Sequence, residues 1–344
     1  MKPSFPVDRY FRQCVGIDVS KNKFTACLCM YGLGCADDSS VPIDFNNNKT
    51  GFNQLVKWAR REAVKEKPIY FLMEPTGTYY EDLAVHLSKL SFTIFVIPGN
   101  RVKAFFKEIG IKTKTDGVDA YGLAFMGASK PYLTPWTPPN PTYRELRQLT
   151  RMHVQFQDII TILKNQREAL RHSYEPSHEA IKHLDSLLRS ANKKLDDNIA
   201  AVKVLAASDK EIAEKMNYVR SITGIGDLTA AILLAETNGF QMFSGRKQVA
   251  SFAGLDVVAR QSGTKDPTRR ISKQGNKYIR RALFMCAMVS SYRNPHMMPF
   301  YLRIIGKKHN SGVAYTAIMR KLLLLAFTLC KNKKLYDPKY NKES

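Results

Sequence analysis

Four carboxylates near the start of the chain have the types and spacing expected of metal ligands. Asp18 lies inside an apolar, β-branched run that predicts a strand, and Glu74 ends a second such run, where Pro-Thr-Gly stops the strand. Asp116 and Asp119 open a helical stretch at i,i+3 spacing, so both project from one helix face. Hard divalent cations such as Mg²⁺ or Mn²⁺ take oxygen ligands, and two of them about 4 Å apart can clamp the attacking and leaving oxygens of a phosphodiester exchange.

Each of these acids also has a common alternative role. A single Asp in a strand, or an Asp-x-x-Asp pair at a helix start, is most often a solvated or capping residue. All four in this order, each ending or following an apolar run, favour metal binding instead. The sequence therefore predicts that Asp18, Glu74, Asp116 and Asp119 are catalytic metal ligands.

A second group of candidate functional residues lies in the last third of the chain and is strongly basic. Such a cluster neutralises phosphates and makes binding depend on salt. A solvated basic face is the alternative, but it does not explain the hydroxyl groups embedded in the charge, nor that Asp266 is the only acid between Arg260 and Arg281. The cations are Arg260, Lys265, Arg269, Arg270, Lys273, Lys277, Arg280 and Arg281, and the hydroxyls belong to Ser262, Thr264, Thr268 and Ser272.

The stretch from Ile222 to Glu236 resembles the second half of a helix-hairpin-helix. In that motif a Gly-x-Gly turn, here Gly224 and Gly226, exposes backbone N–H groups at a helix N-terminus, which suits a phosphate. The alternative is a tight turn between helices in which the glycines only allow close packing.

The charge of the whole chain indicates a polyanionic partner. In 344 residues, 53 Lys and Arg against 30 Asp and Glu give a net charge of +23, which suits nucleic acid or an acidic membrane surface. The membrane is the weaker option, because the apolar run from Leu322 to Cys330 is too short to span a bilayer and the N-terminus has no signal-peptide core. The six cysteines include no C-x-x-C pair, so we predict free thiols in a reducing, cytoplasmic compartment and no zinc site.

The elements that must position the four carboxylates alternate between strands and helices. Residues 13–130 give three strands followed by alternating helices and strands, which is typical of an α/β sheet covered on its faces. Strand ends gather ligand chemistry in such a sheet, although Asp18 is expected mid-strand. The predicted strands are Val15–Val19, Phe24–Met30, Val41–Phe45, Ile69–Glu74 and Thr93–Ile97, and the predicted helices are one capped by Thr50, then Tyr79–Leu90, Arg101–Ile109 and Asp116–Ala128.

Three regions follow this unit. Residues 131–142 are rich in proline and predict a semi-rigid linker. Residues 143–216 carry apolar residues in steps of three and four, which predicts a helical pair with a coiled-coil stripe. Such a stripe is consistent with packing between the chains of an oligomer. The alternative is an ordinary two-helix arm that packs on its own domain. Residues 217–331 predict a mostly α-helical C-terminal domain, and residues 332–344 a basic tail.

Several sequence blocks, in order, resemble those of a known family. They are Gly-Ile-Asp-Val-Ser-Lys, Glu-Pro-Thr-Gly, Lys-Thr-Asp-Gly-Val-Asp-Ala, Gly-Leu-Asp-Val-Val-Ala-Arg-Gln-Ser-Gly and Ile-Ser-Lys-Gln-Gly-Asn. The blocks resemble the DEDD insertion-sequence transposases, bridge-RNA-guided recombinases that join a RuvC-like (RNase H-like) domain to a C-terminal transposase domain with a serine nucleophile. The likeness spans residues 13–330. One difference is that family members often carry Gly-Gly-Lys after the serine, where this chain has Gly-Thr-Lys.

The resemblance implies DNA recombination that inserts or excises a mobile element. It implies that the four carboxylates bind metal, and that Ser262 attacks DNA and becomes covalently linked to it. It also implies a homo-oligomer, dimer or tetramer, in which the RuvC-like domain of one subunit meets the serine of another. A structured guide RNA from the element's own flank would pair with target and donor DNA.

The implied chemistry agrees with the residue types. A serine hydroxyl needs activation by a base, a metal or a positive field, and neighbouring Arg and Lys stabilise the charge of a pentavalent phosphate. Ser251, expected to be half-buried, Ser272, expected to cap a helix, and Thr264 are the competing hydroxyls. Two alternatives stay open: a metal-dependent nuclease or junction resolvase in which water attacks, and a non-catalytic nucleic-acid-binding scaffold that needs no metal.

Overall fold

The computed structural model of the protein describes residues 10–32, 37–260 and 268–339. The chain divides into two compact units, Met1–Pro138 and Pro139–Ser344. The division lies inside the proline-rich segment predicted as a linker. Each unit has its own hydrophobic core and is described by itself.

The first unit is built on a mixed sheet, whose described strands number six and follow the order β3-β2-β1-β5-β6, with β4 also paired to β2. Strands β1 and β2 are antiparallel, whereas β1, β5 and β6 are parallel to one another. The elements are β1 (Tyr10–Val19), β2 (Lys23–Gly32), β3 (Asp37–Ser39), β4 (Ile43–Asn46), α1 (Lys49–Glu62), β5 (Ile69–Met73), α2 (Glu81–Lys89), β6 (Thr93–Val96), α3 (Gly99–Glu108) and α4 (Asp116–Ser129).

Alternate side chains of β1 serve the two faces of this sheet, because successive residues of a strand point to opposite sides. Val15 and Ile17 join a core with α1 and α2, while Cys14 joins a second core with α3 and α4. Helices therefore cover both faces, as the sequence predicted. The mixed α/β class is confirmed, and the arrangement is compatible with an RNase H-like domain.

Two local expectations for this unit were wrong, and one strand was missed. Thr50 does not cap α1: Asn48 does, accepting a hydrogen bond from the N–H of Gly51 at 3.0 Å, and asparagine is among the preferred cap residues. Strand β3 was not predicted. Asp18 is the last residue but one of β1 rather than mid-strand, because the hairpin to β2 closes directly after it, with Val19 opposite Phe24.

The second unit is mostly helical. Its elements are α5 (Pro141–Arg171), α6 (His178–Ser208), α7 (Lys210–Arg220), α8 (Asp227–Thr237), α9 (Arg246–Phe252), β7 (Val257–Arg260), β8 (Thr268–Ile271), α10 (Lys277–Arg293), α11 (Met297–Lys308) and α12 (Ser311–Asn332). Strands β7 and β8 form an antiparallel hairpin, with Val257 opposite Ile271.

Helices α5 and α6 pack against each other as a hairpin, and an ion pair joins Arg167 to Asp185 at 2.9 Å. Leu146 and Val202 belong to the same core as the later helices, so this hairpin is part of the second unit rather than a body of its own. The apolar stripe of α6 turns inward at Leu188, which is buried. Three apolar side chains of α5, those of Met152, Ile159 and Ile162, are exposed.

The last helix corrects the expectation that no apolar segment there is long enough to cross a membrane. Helix α12 has 22 residues and, by length and composition alone, is long and apolar enough to cross a membrane. The expected segment was shorter because Arg320 and Lys321 precede the apolar run, yet the helix continues through them. Leu322 and Phe327 are buried in the core of the second unit, and Arg320 donates to the carbonyl of Leu255 at 3.2 Å. Helix α12 is thus packed as a core helix.

The cysteines that the structure describes, Cys14, Cys27, Cys29, Cys286 and Cys330, are free and buried. This confirms the prediction of free thiols for these five. Cys35 lies outside the described residues.

Candidate active site

The close packing of α4 on β1 brings Asp18 toward the two acids of α4. Gly16 shares a face of β1 with Asp18, and a Cβ on Gly16 would overlap the backbone of α4 at Ala120 and Ala124. Because Asp18 follows Gly16 by two residues, its side chain points to the same helix. The first turn of α4 holds Asp116 and Asp119 and begins after Thr115, whose hydroxyl accepts from the N–H of Val118 at 3.3 Å.

Glu74 reaches the same end of the sheet from the neighbouring strand. Strands β1 and β5 run parallel with Ile17 beside Met73, so the next residues, Asp18 and Glu74, leave the two strands side by side. The first residue of α3 leaves room for the Glu74 carboxylate. A Cβ on Gly99 would overlap the Glu74 Oε1 atom, so the absence of a side chain at Gly99 is what allows this position.

The electrostatics show that the four carboxylates act on one another. Burial, and then the charges of Asp119, Asp116 and Glu74, raise the pKa of Asp18 to about 6, while Lys114 lowers it. Burial also raises the pKa of Asp119, against the lowering effect of Lys114. Like charges gathered in a half-buried position destabilise the ionised form, which makes this end of the sheet a place where a positive ion is stabilising.

The most exposed of the four acids is held by a lysine from the hairpin after Asp18. The Nζ atom of Lys23 lies 3.4 Å from Asp116 and 3.0 Å from Asp44. The Thr25 hydroxyl donates to the other oxygen of Asp44 at 2.5 Å. Asp44 is therefore fixed from two sides, and it keeps the Lys23 ammonium beside Asp116.

The donor set suits a hard divalent cation. Within the described ranges, no three side chains of His, Cys, Asp or Glu already lie close enough to hold one ion. The four acids nevertheless offer only oxygen donors, and their mutual repulsion, seen at Asp18, is what a cation relieves. These acids fit a divalent cation such as Mg²⁺ or Mn²⁺. The residues that would hold it are Asp18, Glu74, Asp116 and Asp119.

The predicted nucleophile falls in the sequence segment between β7 and β8, residues 261–267. Ser262, Thr264 and Lys265 therefore lie outside the described residues. For Arg260 and Arg269 the structure gives the backbone of the two strands, in which Ala259 pairs with Arg269 and Arg260 with Thr268.

The remaining predicted cations divide into two kinds. Arg270, Lys273 and Lys277 are exposed. Arg280 donates to the carbonyl of Ala253 at 2.9 Å, and Arg281 pairs with Asp158 of α5 through two contacts of 2.9 and 2.7 Å. Arg280 and Arg281 therefore have partners within the protein, although Arg281 is exposed as well.

The competing hydroxyls differ from expectation in both described cases. Ser251 is exposed on α9 rather than half-buried. Ser272 does not cap α10: Asn276 does, accepting from the N–H groups of Tyr278 and Ile279 at 2.9 and 3.1 Å. The Ser272 hydroxyl instead donates to Asp256 at 2.5 Å and closes the base of the β7–β8 hairpin.

The two glycines of the turn before α8 have different surroundings. Gly224 has φ +105°, and a Cβ there would overlap the Ser290 hydroxyl oxygen of α10, so this glycine serves close packing. Gly226 is the N-cap of α8 and has open space around it. Asp227 in the first turn of α8 pairs with Arg220 at 2.7 Å.

A buried ion pair in the second unit was missed by sequence reasoning. Glu236 is 2% exposed and receives hydrogen bonds from Arg151 at 2.7 and 2.9 Å and from the Asn276 side chain at 2.6 Å. It joins α5 and α8 to the residue that caps α10. The available signal was a glutamate at the end of the apolar run of α8, where an unpaired charge is costly.

A mixed sheet with four carboxylates at the ends of two strands and one helix fits the class of RNase H-like phosphoryl-transfer enzymes. Two family models match the chain: one described as Transposase, of the DEDD type found in IS110, covers residues 15–176, and one described as Transposase IS116/IS110/IS902 family covers residues 216–302. The chain belongs to the DEDD transposases of insertion sequences, and it is a DNA transposase/recombinase enzyme. The family implies DNA binding and a divalent metal cofactor.

The relatives are of two kinds. The chain is 28% identical to the pilin gene-inverting protein of Moraxella bovis over 326 residues, which cover 94% of this chain and 97% of that protein. It is 24% identical to the transposase for insertion sequence element IS1328 of Yersinia enterocolitica, over 44% of this chain and 43% of that protein. A 43.6 kDa protein of insertion element IS110 from Streptomyces coelicolor is 31% identical over 31% of this chain and 27% of its own length.

Proposed function

We propose that the chain cuts and rejoins DNA through a covalent serine–DNA intermediate, with Ser262 as the nucleophile. The observation that carries the proposal is the gathering of Asp18, Glu74, Asp116 and Asp119 at one end of the first unit's sheet, with three of these carboxylates raising the pKa of the fourth. A bound Mg²⁺ or Mn²⁺ supplies Lewis-acid polarisation of phosphate oxygens.

The protein groups around the carboxylates have separate tasks in this proposal. Asp18 and Glu74 are fixed by the parallel strands that carry them, and Gly99 sets the position of the Glu74 carboxylate. Lys23 keeps Asp116 oriented through Asp44. Such outer contacts hold metal ligands in place and commonly change metal affinity when they are removed.

The environment of the β7–β8 hairpin supports Ser262 over Ser272. The Ser272 hydroxyl is already engaged by Asp256 at the base of the hairpin, whereas Ser262 belongs to the sequence segment between β7 and β8. Arg270, Lys273 and Lys277 are exposed cations of the same segment, and they suit the neutralisation of DNA phosphates. A covalent link conserves the energy of the broken phosphodiester bond, which suits rejoining better than hydrolysis.

The same proposal includes the partners inferred from the resemblance: a structured guide RNA and a homo-oligomer. The net charge of +23 suits both DNA and RNA. Oligomer contact is supported by the apolar side chains of α5, among them Ile159 and Ile162, that the described part of the chain leaves exposed.

A trapped adduct tests the nucleophile. The protein is incubated with Mg²⁺ and DNA of its own flanking sequence, with and without the flanking RNA, and the adduct is mapped after nuclease digestion. We expect a phosphonucleotide on Ser262, none with Ser262→Ala, and normal adduct with the control Ser251→Ala, an exposed serine of the same domain. A modified Ser272, or strand cleavage without any adduct, would overturn the assignment, and the second result would favour the nuclease alternative.

A second candidate function is inversion of a DNA segment between fixed ends. It is favoured by one observation: the pilin gene-inverting proteins match this chain over nearly its full length. A plasmid carrying two copies of the flanking sequence in inverted orientation, with a separate target plasmid, separates the two functions. Insertion into the target supports transposition, whereas inversion of the intervening segment without insertion supports the second candidate.

A further inference from the structure

A cluster of aromatic side chains on α10, α11 and α12 has no task in the chemistry described above. Tyr301 and Tyr315 stack with ring centres 5.4 Å apart, and the ring of Phe284 meets Tyr315 edge-on at 6.1 Å. The Lys321 ammonium lies 4.1 Å and the Arg303 guanidinium 5.2 Å from the centre of the Phe300 ring, as cation–π contacts. We call these six residues the aromatic patch: Phe284, Phe300, Tyr301, Arg303, Tyr315 and Lys321.

The patch is anchored on one side and open on the other. Phe300, Tyr301 and Tyr315 are only partly buried where they pack on the core of the second unit. Phe284 is 44% exposed. Leu302 and Val313, which are close in sequence to Tyr301 and Tyr315, are 57% and 48% exposed. Aromatic rings held rigidly on helices, with a face left toward solvent, lose little entropy when a flat partner stacks on them.

The sequence segment that carries the patch has charges of one sign. From Pro267 to Tyr336 the sequence contains 15 Lys and Arg residues and no Asp or Glu. Neither Arg303 nor Lys321 forms an ion pair with any residue in the described part of the chain. Two cations against one ring repel each other, and partial burial together with the charge of Arg303 lowers the pKa of Lys321. A polyanion placed here relieves that repulsion.

We propose that the aromatic patch binds unpaired nucleotides, whose bases stack on Tyr301, Tyr315 and Phe284 while Arg303 and Lys321 contact the backbone phosphates. Basic groups interleaved with aromatic rings are the combination by which proteins hold single strands, because every base has a face to stack and every nucleotide has a charge to neutralise. The bases of a duplex are covered by their neighbours, so the patch discriminates against paired strands. DNA and RNA share this chemistry.

The inference rests on the proposed function only in that strand exchange exposes unpaired nucleotides. Its test needs neither metal nor catalysis. Full-length protein in EDTA is titrated with the single strands dT12 and U12 and with a 12-base-pair duplex, by fluorescence anisotropy, and a central 2-aminopurine reports stacking by loss of its fluorescence.

We expect Tyr301→Ala with Tyr315→Ala to weaken single-strand binding about tenfold, with less than about twofold loss on the duplex, and to abolish the 2-aminopurine quenching. Tyr301→Phe with Tyr315→Phe keeps the rings and should bind as the parent does. Tyr174→Ala, which removes a tyrosine that is 92% exposed elsewhere in the unit, is the matched control. If the double alanine variant is poorly folded by circular dichroism, Phe284→Ala alone should still weaken single-strand binding and reduce the quenching, since this ring is exposed.

The stacking proposal would be overturned if the double alanine variant lost as much affinity for the duplex as for single strands. It would also be overturned if the double phenylalanine variant lost as much single-strand affinity as the double alanine variant. A preference between dT12 and U12 identifies which strand the patch holds. Unchanged oligonucleotide binding with abolished binding to phosphatidylserine vesicles would assign the patch to a membrane surface instead. Because no adduct is needed, a failure of Ser262 as nucleophile leaves this readout intact, and loss of stacking leaves the adduct assay interpretable.

Discussion

At the scale of single residues, the carboxylate cluster combines repulsion with very tight placement. Asp18 has three other acids near it, and its pKa is raised to about 6 by burial first and by those charges second. Glu74 is positioned against a residue with no side chain, Gly99. Such a cluster is destabilising without a cation, as is common where function requires charges to be brought together.

The combined cost of burying Asp18 and of placing it beside the other acids can be measured with Asp18→Asn in metal-free protein. A carboxyl whose folded pKa is about 6, raised from its usual value of 3.8, destabilises the fold increasingly as pH rises between these values. Asp18→Asn should therefore raise the free energy of unfolding by on the order of 1 kcal/mol above about pH 6, after allowance for solvent screening, and by nothing below about pH 4. Urea unfolding in EDTA across this range tests it, and a gain independent of pH would contradict the assignment.

Gly99→Ala tests the placement of Glu74. The added Cβ overlaps the carboxylate, so the side chain must move away from its neighbours. We expect Mn²⁺ affinity, measured by isothermal titration, to fall about tenfold, as is usual when support of a metal ligand is removed. Gly245→Ala is the control, because a Cβ at Gly245 meets no atom within 4 Å. Equal affinities of the two variants would show that Glu74 does not depend on Gly99.

At the scale of secondary-structure elements, the α5–α6 hairpin has two apolar surfaces, one buried within the chain and one exposed. The inner one includes Leu188 of α6 and is buried within the chain. The other includes Ile159 and Ile162 of α5, which are 46% and 55% exposed. Disruption of Leu188 would therefore damage the fold, and the exposed surface is the place to test self-association.

Ile159→Lys with Ile162→Lys should shift the protein toward monomer, because a charge in an apolar contact between subunits is costly. Sedimentation velocity at several concentrations measures the change. Gln157→Lys with Thr161→Lys adds the same charge at exposed polar positions of α5 and should leave the mass unchanged. If the parent protein is already monomeric, or if the double lysine variant has an unchanged mass, α5 does not form an oligomer contact.

At the scale of the whole molecule, the excess of 53 basic over 30 acidic residues is not uniformly available to nucleic acid. Arg281 is held by Asp158, and Arg151 by Glu236. Exposed cations such as Lys273 and Lys277 are expected to release counterions when DNA binds.

The slope of log affinity against log salt should separate these two kinds of basic residue. Replacing Arg270, Lys273 and Lys277 with Ala should reduce the magnitude of the slope for duplex DNA by roughly one unit for each phosphate that the variant no longer neutralises. Arg281→Ala should change the slope less, because its guanidinium is already paired with Asp158. A slope altered by Arg281→Ala alone would mean that this guanidinium leaves Asp158 when DNA binds.

The sequence by itself determined most of the elements and the places of the four acids on them. The apolar runs around Asp18 and Glu74 are strands, and the spacing of Asp116 and Asp119 places both in the first turn of α4. These features are local, since hydrophobic period and turn residues act over a few positions. The excess of basic residues likewise predicted nucleic acid as the partner.

Only the tertiary structure decided which charges meet. Lys23 pairs with both Asp44 and Asp116, and Gly99 lies against Glu74, although these residues are far apart in the chain. Arg281, predicted to face DNA, also pairs with Asp158 of α5, a contact that the sequence did not predict. Such pairings depend on how elements pack, and a periodic pattern carries no record of which side chains from distant segments will share one surface.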